Sequence, residues 1–161
     1  MKKLSVSAAV ALALVLLMIT IRIGSALLPR TEANGNFTST STTIHSVMED
    51  KFNEVIDLSS TVTYTGTFEG TSILQGTLTV YRDGSGKFQG VETFTGLVNG
   101  IPGTLTFKTQ GDSNLYQTIQ LTNVIRSGTG QLSNLHGEIS KTGIVKDNGP
   151  VGTYTGQISH Q

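Results

Sequence analysis

Ser72-Ile73-Leu74-Gln75-Gly76-Thr77-Leu78-Thr79-Val80-Tyr81, then Arg82-Asp83-Gly84-Ser85-Gly86, then Lys87-Phe88-Gln89-Gly90-Val91-Glu92-Thr93-Phe94-Thr95-Gly96-Leu97-Val98: the reading of this stretch decides the fold. Two runs rich in Thr, Val, Leu and Phe flank a segment in which Asp-Gly stands beside a second Gly. Tight β-turns need residues that accept positive φ without a Cβ clash, so the pattern reads as a hairpin of strands Ser72–Tyr81 and Lys87–Val98. A third strand returns alongside from Thr104.

Side chains alternate faces along a strand. Leu74, Gly76, Leu78 and Val80 therefore share one face and Gln75, Thr77, Thr79 and Tyr81 the other, one greasy and one rich in hydroxyls. On the second strand Phe88, Gly90, Glu92, Phe94, Gly96 and Val98 fall on a single parity. That places one carboxylate in a row of aromatics and glycines that faces the core. A buried carboxylate is unfavourable unless paired, hydrogen-bonded or protonated, and such residues are enriched at binding and catalytic sites. Glu92 is thus the leading candidate site residue, unless a β-bulge or a nearby strand end turns it outward.

Working outward, Val62 and Tyr64 share a parity with Phe68, Leu105 shares one with Phe107, and Leu115, Ile119, Leu121 and Ile125 form a row interrupted by Gln117 and Asn123. Gly111-Asp112-Ser113-Asn114 reads as a turn, Leu132 and Leu135 as a short helical turn, and His136–Lys141 and Gly152–Ile158 as a last strand pair around a loop at Thr142–Val151. Tyr154, Gly156 and Ile158 face one way. The segment 46–58 fits either a short helical turn or a bent strand. About eight short strands separated by antiparallel-type turns imply a barrel or a sandwich. Glycine within strands, at Gly76, Gly90, Gly96 and Gly156, favours the barrel, because tight curvature needs bends that glycine tolerates.

Ahead of this lies a different kind of sequence. Lys2 and Lys3 precede an apolar run from Leu4 to Ile21, followed by Gly24-Ser25-Ala26. This is the pattern of an export signal, and the run approaches the length of a membrane span. Residues 1–26 are therefore expected to be a hydrophobic helix acting as a signal peptide or, uncleaved, as an anchor through residues 4–23. A linker over 27–33 and a single domain over 34–161 follow. The expected location is extracytoplasmic, secreted or membrane-anchored. Removal of residues 1–26 would leave eight basic against eleven acidic residues.

Composition narrows the chemistry. Only 14% of residues are charged and the formal net charge is zero, with no basic block of the kind that tracks phosphates, so nucleic acid is not an expected partner. Cysteine is absent, which excludes disulfides, thiolate metal sites and a cysteine nucleophile. His45, His136 and His160 lie in separate segments without metal-ligand spacing, and no phosphate loop, nucleophile elbow or His-Glu-x-x-His helix occurs. No cofactor or metal is expected. His136 and Glu138 read as a solvated face, Asp83 and Asp112 as turn residues, and Asn36-Phe37-Thr38 is the single glycosylation sequon.

The series Tyr64-Thr65-Gly66-Thr67-Phe68-Glu69-Gly70, Tyr81-Arg82-Asp83-Gly84-Ser85-Gly86, Gly90-Val91-Glu92-Thr93-Phe94-Thr95-Gly96 and Ser127-Gly128-Thr129-Gly130-Gln131-Leu132-Ser133-Asn134-Leu135-His136-Gly137-Glu138 resembles one uncharacterised family, over about residues 34–159. The resemblance implies an allene oxide cyclase-like, calycin-type β-barrel, with Gly35-Asn36-Phe37-Thr38 opening the first strand, Phe52-Asn53-Glu54 matching a Tyr-Asp-Glu segment, and Glu92 on the glutamate of a Gly-x-Glu-x-Phe-Thr-Gly motif. The chain departs from the family at Thr109, where a histidine is frequent, and at Leu121, where a tryptophan is. A glutamate–histidine acid–base pair is therefore not expected here.

The fold expectation is all-β: one antiparallel barrel of about eight strands. The functional expectation is an exported module that binds a small apolar or amphipathic molecule inside it, through Glu92, Phe88, Phe94, Phe107 and Tyr154. The alternatives are a cyclase- or isomerase-like enzyme using the barrel cavity, in which Glu92 polarises a substrate oxygen, and a structural or interaction barrel. A lone carboxylate favours binding over catalysis.

Overall fold

The computed structural model describes residues 29–49, 52–114 and 117–160. Eight strands follow one another: β1 Thr31–Glu49, β2 Asn53–Gly66, β3 Phe68–Tyr81, β4 Ser85–Val98, β5 Ile101–Asn114, β6 Thr118–Gly128, β7 Leu135–Lys146 and β8 Gly149–His160. Each pairs antiparallel with the next, and the first part of β1 pairs with β8, so the sheet closes into a barrel. The N-terminal helix expected over residues 1–26 lies outside the described residues. Among the described residues no helix is long and apolar enough to cross a membrane.

The hairpin that decides the fold is β3–β4. Val80 pairs with Gly86 and Leu74 with Glu92. Arg82, Asp83 and Gly84 make the turn, closed by Gly84 N–H donating to Tyr81 C=O at 2.9 Å. Gly84 has φ of 81°, a conformation that a Cβ disfavours. The expected parity holds, with Leu74, Leu78, Val80, Phe88, Phe94 and Val98 all buried. Gly76 pairs with Gly90, and a Cβ on Gly76 would sit 2.7 Å from both the Gly90 Cα and the Phe88 ring. The two glycines let the strands bend together and the Phe88 ring fold over them.

Several boundaries differ from expectation. Gly111–Asn114 is not a turn but the end of β5, where Asp112 pairs with Lys87 on one side and Gln120 on the other. The Asp112 carboxylate accepts an exposed ion-paired hydrogen bond from Lys87 Nζ at 2.6 Å. Intrinsically poor strand formers are carried here by pairing on both edges. Likewise β5 begins at Ile101 rather than Thr104, and the loop expected at Thr142–Val151 is mostly strand, with a tight turn at Asp147-Asn148 and Gly149 at φ 117°. Residues 46–49 and 53–58 follow the strand reading, as the end of β1 and the start of β2, and β1 begins at Thr31. β2 stops at Gly66, so Phe68 opens β3, yet Val62, Tyr64 and Phe68 are all buried. The expected helical turn is a single short one at Gly130–Leu132.

The meander gives the barrel two unlike ends. At one end lie the start of β1, the β2–β3 and β4–β5 turns, and the β6–β7 link. There Leu132 and Leu135 are fully buried and plug the barrel. Phe68 packs on Phe94, Phe107 and Tyr154 with ring centroids 5.6, 6.0 and 5.5 Å away, in edge-on geometries. Tyr154 Oη accepts from Phe68 N–H at 2.9 Å and donates to Thr65 C=O at 3.2 Å. This half is solid. At the other end are the β1–β2, β3–β4, β5–β6 and β7–β8 connections. Past Thr38, β1 pairs with β2 alone, and this arm exposes Ile44, Val47 and Met48.

Candidate functional site

The interior carries a charged cluster at mid-height. Glu92 on β4 is 0% exposed, and its inward position follows from strict alternation between Phe88 and Phe94, with no bulge in the β3–β4 or β4–β5 register. Four side chains from four other strands meet its carboxylate. Tyr64 Oη donates to Oε1 at 2.6 Å and Ser72 Oγ to the same oxygen at 2.5 Å. Asn123 Nδ2 donates to Oε2 at 2.7 Å, and Lys141 Nζ donates to Oε2 at 3.2 Å. Lys141 Nζ also donates to Tyr64 Oη at 2.8 Å and lies 4.8 Å over the Phe37 ring.

Ion pairing and saturation with donors keep these charges inside. Burial alone would raise the Glu92 pKa, but the Lys141 ammonium and the Ser72, Tyr64 and Asn123 donors outweigh it and hold the carboxyl below its ordinary range. Burial and the adjacent Glu92 carboxylate push the Tyr64 phenol well above its usual value, so it remains a donor at neutral pH. Among the described residues two buried side-chain polar atoms lack partners, Thr109 Oγ1 and Asn123 Oδ1, on residues that face each other across β5 and β6.

Between this cluster and the open end lies a cavity of about 370 Å³. Its wall is mostly apolar, built from residues such as Ile56, Leu58, Leu74, Leu78, Phe88 and Leu121, with the hydroxyls of Ser39, Thr42, Ser60 and Ser113 among them. Lys146, Asp147 and Pro150 of the β7–β8 hairpin stand at its mouth. Lys141 is the one residue, among those described, that belongs both to the cavity wall and to the charged cluster.

Of the residues expected to bind a ligand, Phe88 lies in the cavity wall and Glu92 in the layer beneath it. Phe94, Phe107 and Tyr154 belong to the solid half and do not line the cavity. Glu92 is not a lone carboxylate, since Lys141 pairs with it. Lys141 was named in the sequence only as the end of the strand His136–Lys141 and not as a site residue. The signal was its parity, shared with Leu135 and Ile139, both buried. Asn123 carried the same signal as the polar break in the β6 row. Thr109, where the resemblance expects histidine, is fully buried, and Leu121, where it expects tryptophan, lines the cavity.

A closed eight-stranded antiparallel barrel, solid at one end and hollow at the other around an internal ion pair, defines the class of protein. The chain belongs to the family described as "Protein of unknown function (DUF3224)", whose model matches residues 33–155. This is an uncharacterised barrel family of the kind the motifs indicated. A crystal structure of a DUF3224 protein of unknown function from Shewanella oneidensis MR-1 superposes with a TM-score of 0.68 at 16% identity, covering 83% of this chain and 99% of that one. The pterocarpan synthase dirigent protein GePTS1 superposes with a TM-score of 0.50 at 15% identity, covering 86% and 92%. At these identities the likeness concerns the fold. No curated protein matches the sequence.

Proposed function

We propose that this protein is an exported binding module whose barrel takes one small, largely apolar molecule through its open end. The observation that carries this reading is the cavity itself. Its volume falls within the roughly 300–1,000 Å³ common to small-molecule sites, and its mostly apolar wall with a few polar groups, Ser39, Ser60 and Lys141 among them, is their usual construction. A side chain could have filled this half as Phe68, Phe94 and Phe107 fill the other, yet wall residues such as Leu74, Leu78 and Leu121 leave space. The basic and apolar N-terminal sequence supports a location outside the cytoplasm, with the segment removed or retained as an anchor.

Binding is favoured over catalysis by the state of the titratable groups. Glu92 is held ionised and all its partners are donors, so it has no proton to give, and it does not line the cavity. Native mass spectrometry of the protein isolated gently from its host tests the reading. A discrete added mass, lost on denaturation, is the expected result. A clean apo mass across preparations, together with no uptake of apolar probes, would sink it in favour of a structural barrel.

A further inference from the structure

We infer that the cavity's ligand carries a neutral oxygen acceptor, such as a ketone, ester or ether oxygen, which takes a hydrogen bond from Lys141 Nζ at the cavity floor, and that the Glu92–Lys141 pair excludes carboxylates from that position. This rests on the reading of the cavity as a binding site and specifies the chemistry of what it binds.

An ammonium has three N–H donors. Two of those on Lys141 go to Tyr64 Oη at 2.8 Å and Glu92 Oε2 at 3.2 Å. The third has no oxygen or nitrogen partner among the described residues and lies toward the Phe37 ring, 4.8 Å from Nζ; Phe37 and Lys141 both line the cavity, so a ligand acceptor there would take the place of that ring contact. Most of the remaining wall is hydrocarbon, and the wall hydroxyls of Thr42 and Ser60 are already engaged with each other, with Ser39 and with the Ser41 and Asn148 carbonyls, so Lys141 is the strong donor met by an atom entering at the floor.

The charge balance sets which polar atom that is. Glu92 and Lys141 already neutralise each other inside the barrel. An entering carboxylate would bring a second, uncompensated negative charge beside Glu92, and burying an unpaired charge is far more unfavourable than one hydrogen bond is favourable. At the mouth, Lys146 and Asp147 offset each other and give no net attraction for an anion. A neutral carbonyl loses only its own hydration and gains a charge-assisted hydrogen bond.

The test is calorimetric titration of the protein, as isolated from its host, with methyl heptyl ketone, nonanoate and nonane at neutral pH. Wild type is expected to bind the ketone at least about tenfold more tightly than either of the others. Glu92→Gln keeps an amide in place but leaves the Lys141 charge without its counter-ion, so the order of ketone and nonanoate should reverse. In Glu92→Gln/Lys141→Met, which has neither charge nor ammonium donor, the advantage of ketone over nonane should vanish, and this variant decides the matter should the single one fail to fold. Equal binding of ketone and nonane by wild type, tighter binding of nonanoate by wild type, or a ketone preference that survives in the double variant would each overturn the inference while leaving the cavity a binding site. Failure of all three probes to bind wild type would overturn the binding reading and the inference with it.

Discussion

Lys141 and Glu92 were built to stand or fall together. Each is almost completely buried, and each is satisfied largely by the other and by Tyr64. Removing one partner leaves a buried charge without compensation, which in proteins typically lowers stability by about 3–5 kcal/mol. Lys141→Met should show a loss of that order in denaturant unfolding, and Glu92→Gln/Lys141→Met should recover much of it, because two uncharged groups have nothing left to compensate. If the double variant is no more stable than Lys141→Met, the two residues are not energetically coupled. The same pair makes stability depend on acid. The folded-state Glu92 pKa is lowered, so its contribution is fully present above the ordinary carboxylate range and is lost as pH falls through the folded value. Asp57, held low chiefly by Thr77, and Asp83, held low by Ser85, add to this acid limb. The difference between wild type and Glu92→Gln isolates the buried group: their unfolding midpoints should converge as the pH is lowered below the carboxylate range. A constant gap would mean that the Glu92 carboxyl has the same pKa in the folded and unfolded chain.

Among the elements, the β3–β4 hairpin was legible because every level of the sequence agreed. Alternation, strand-forming residues and turn chemistry all indicated the same register. Gly84 is the test of that agreement. Its φ of 81° lies in open space, where an added Cβ would touch nothing, so any penalty is purely one of backbone conformation. Gly84→Val should destabilise the barrel by about 1–2 kcal/mol, read as a lower melting temperature. An unchanged value would show that the turn can be made otherwise. The elements that misled were those whose local chemistry opposed their setting. Gly111–Asn114 looks like a turn by composition but is clamped between β4 and β6. The residues of the loop expected at Thr142–Val151 are mostly strand for the same reason. Glu92 was legible as an anomaly in a greasy row, whereas its partner was not. Parity with Leu135 and Ile139 marks Lys141 as inward, but no linear pattern tells that it will meet a carboxylate almost fifty positions away across the barrel. Such a pairing is set by closure of the sheet, which brings β7 opposite β4 only after β8 has met β1.

For the whole molecule, the division into a solid and a hollow half follows from where the large rings fall. Phe68, Phe94, Phe107 and Tyr154 crowd one end with the Leu132 plug, while aliphatic residues and the overhanging β1–β2 arm surround the other. The ion pair sits at the boundary, as a partition whose upper face is the floor of the cavity. Strand direction then gives the barrel a polarity. Thr31 and Ile158 pair at the beginning of β1 and the end of β8, so the chain enters and leaves at the plugged end. Whatever precedes Thr31, tether or free tail, departs from the barrel's base. A barrel fastened by that route to a membrane would stand on its plug with its mouth turned outward, its cavity open to the surroundings rather than to the bilayer beneath it.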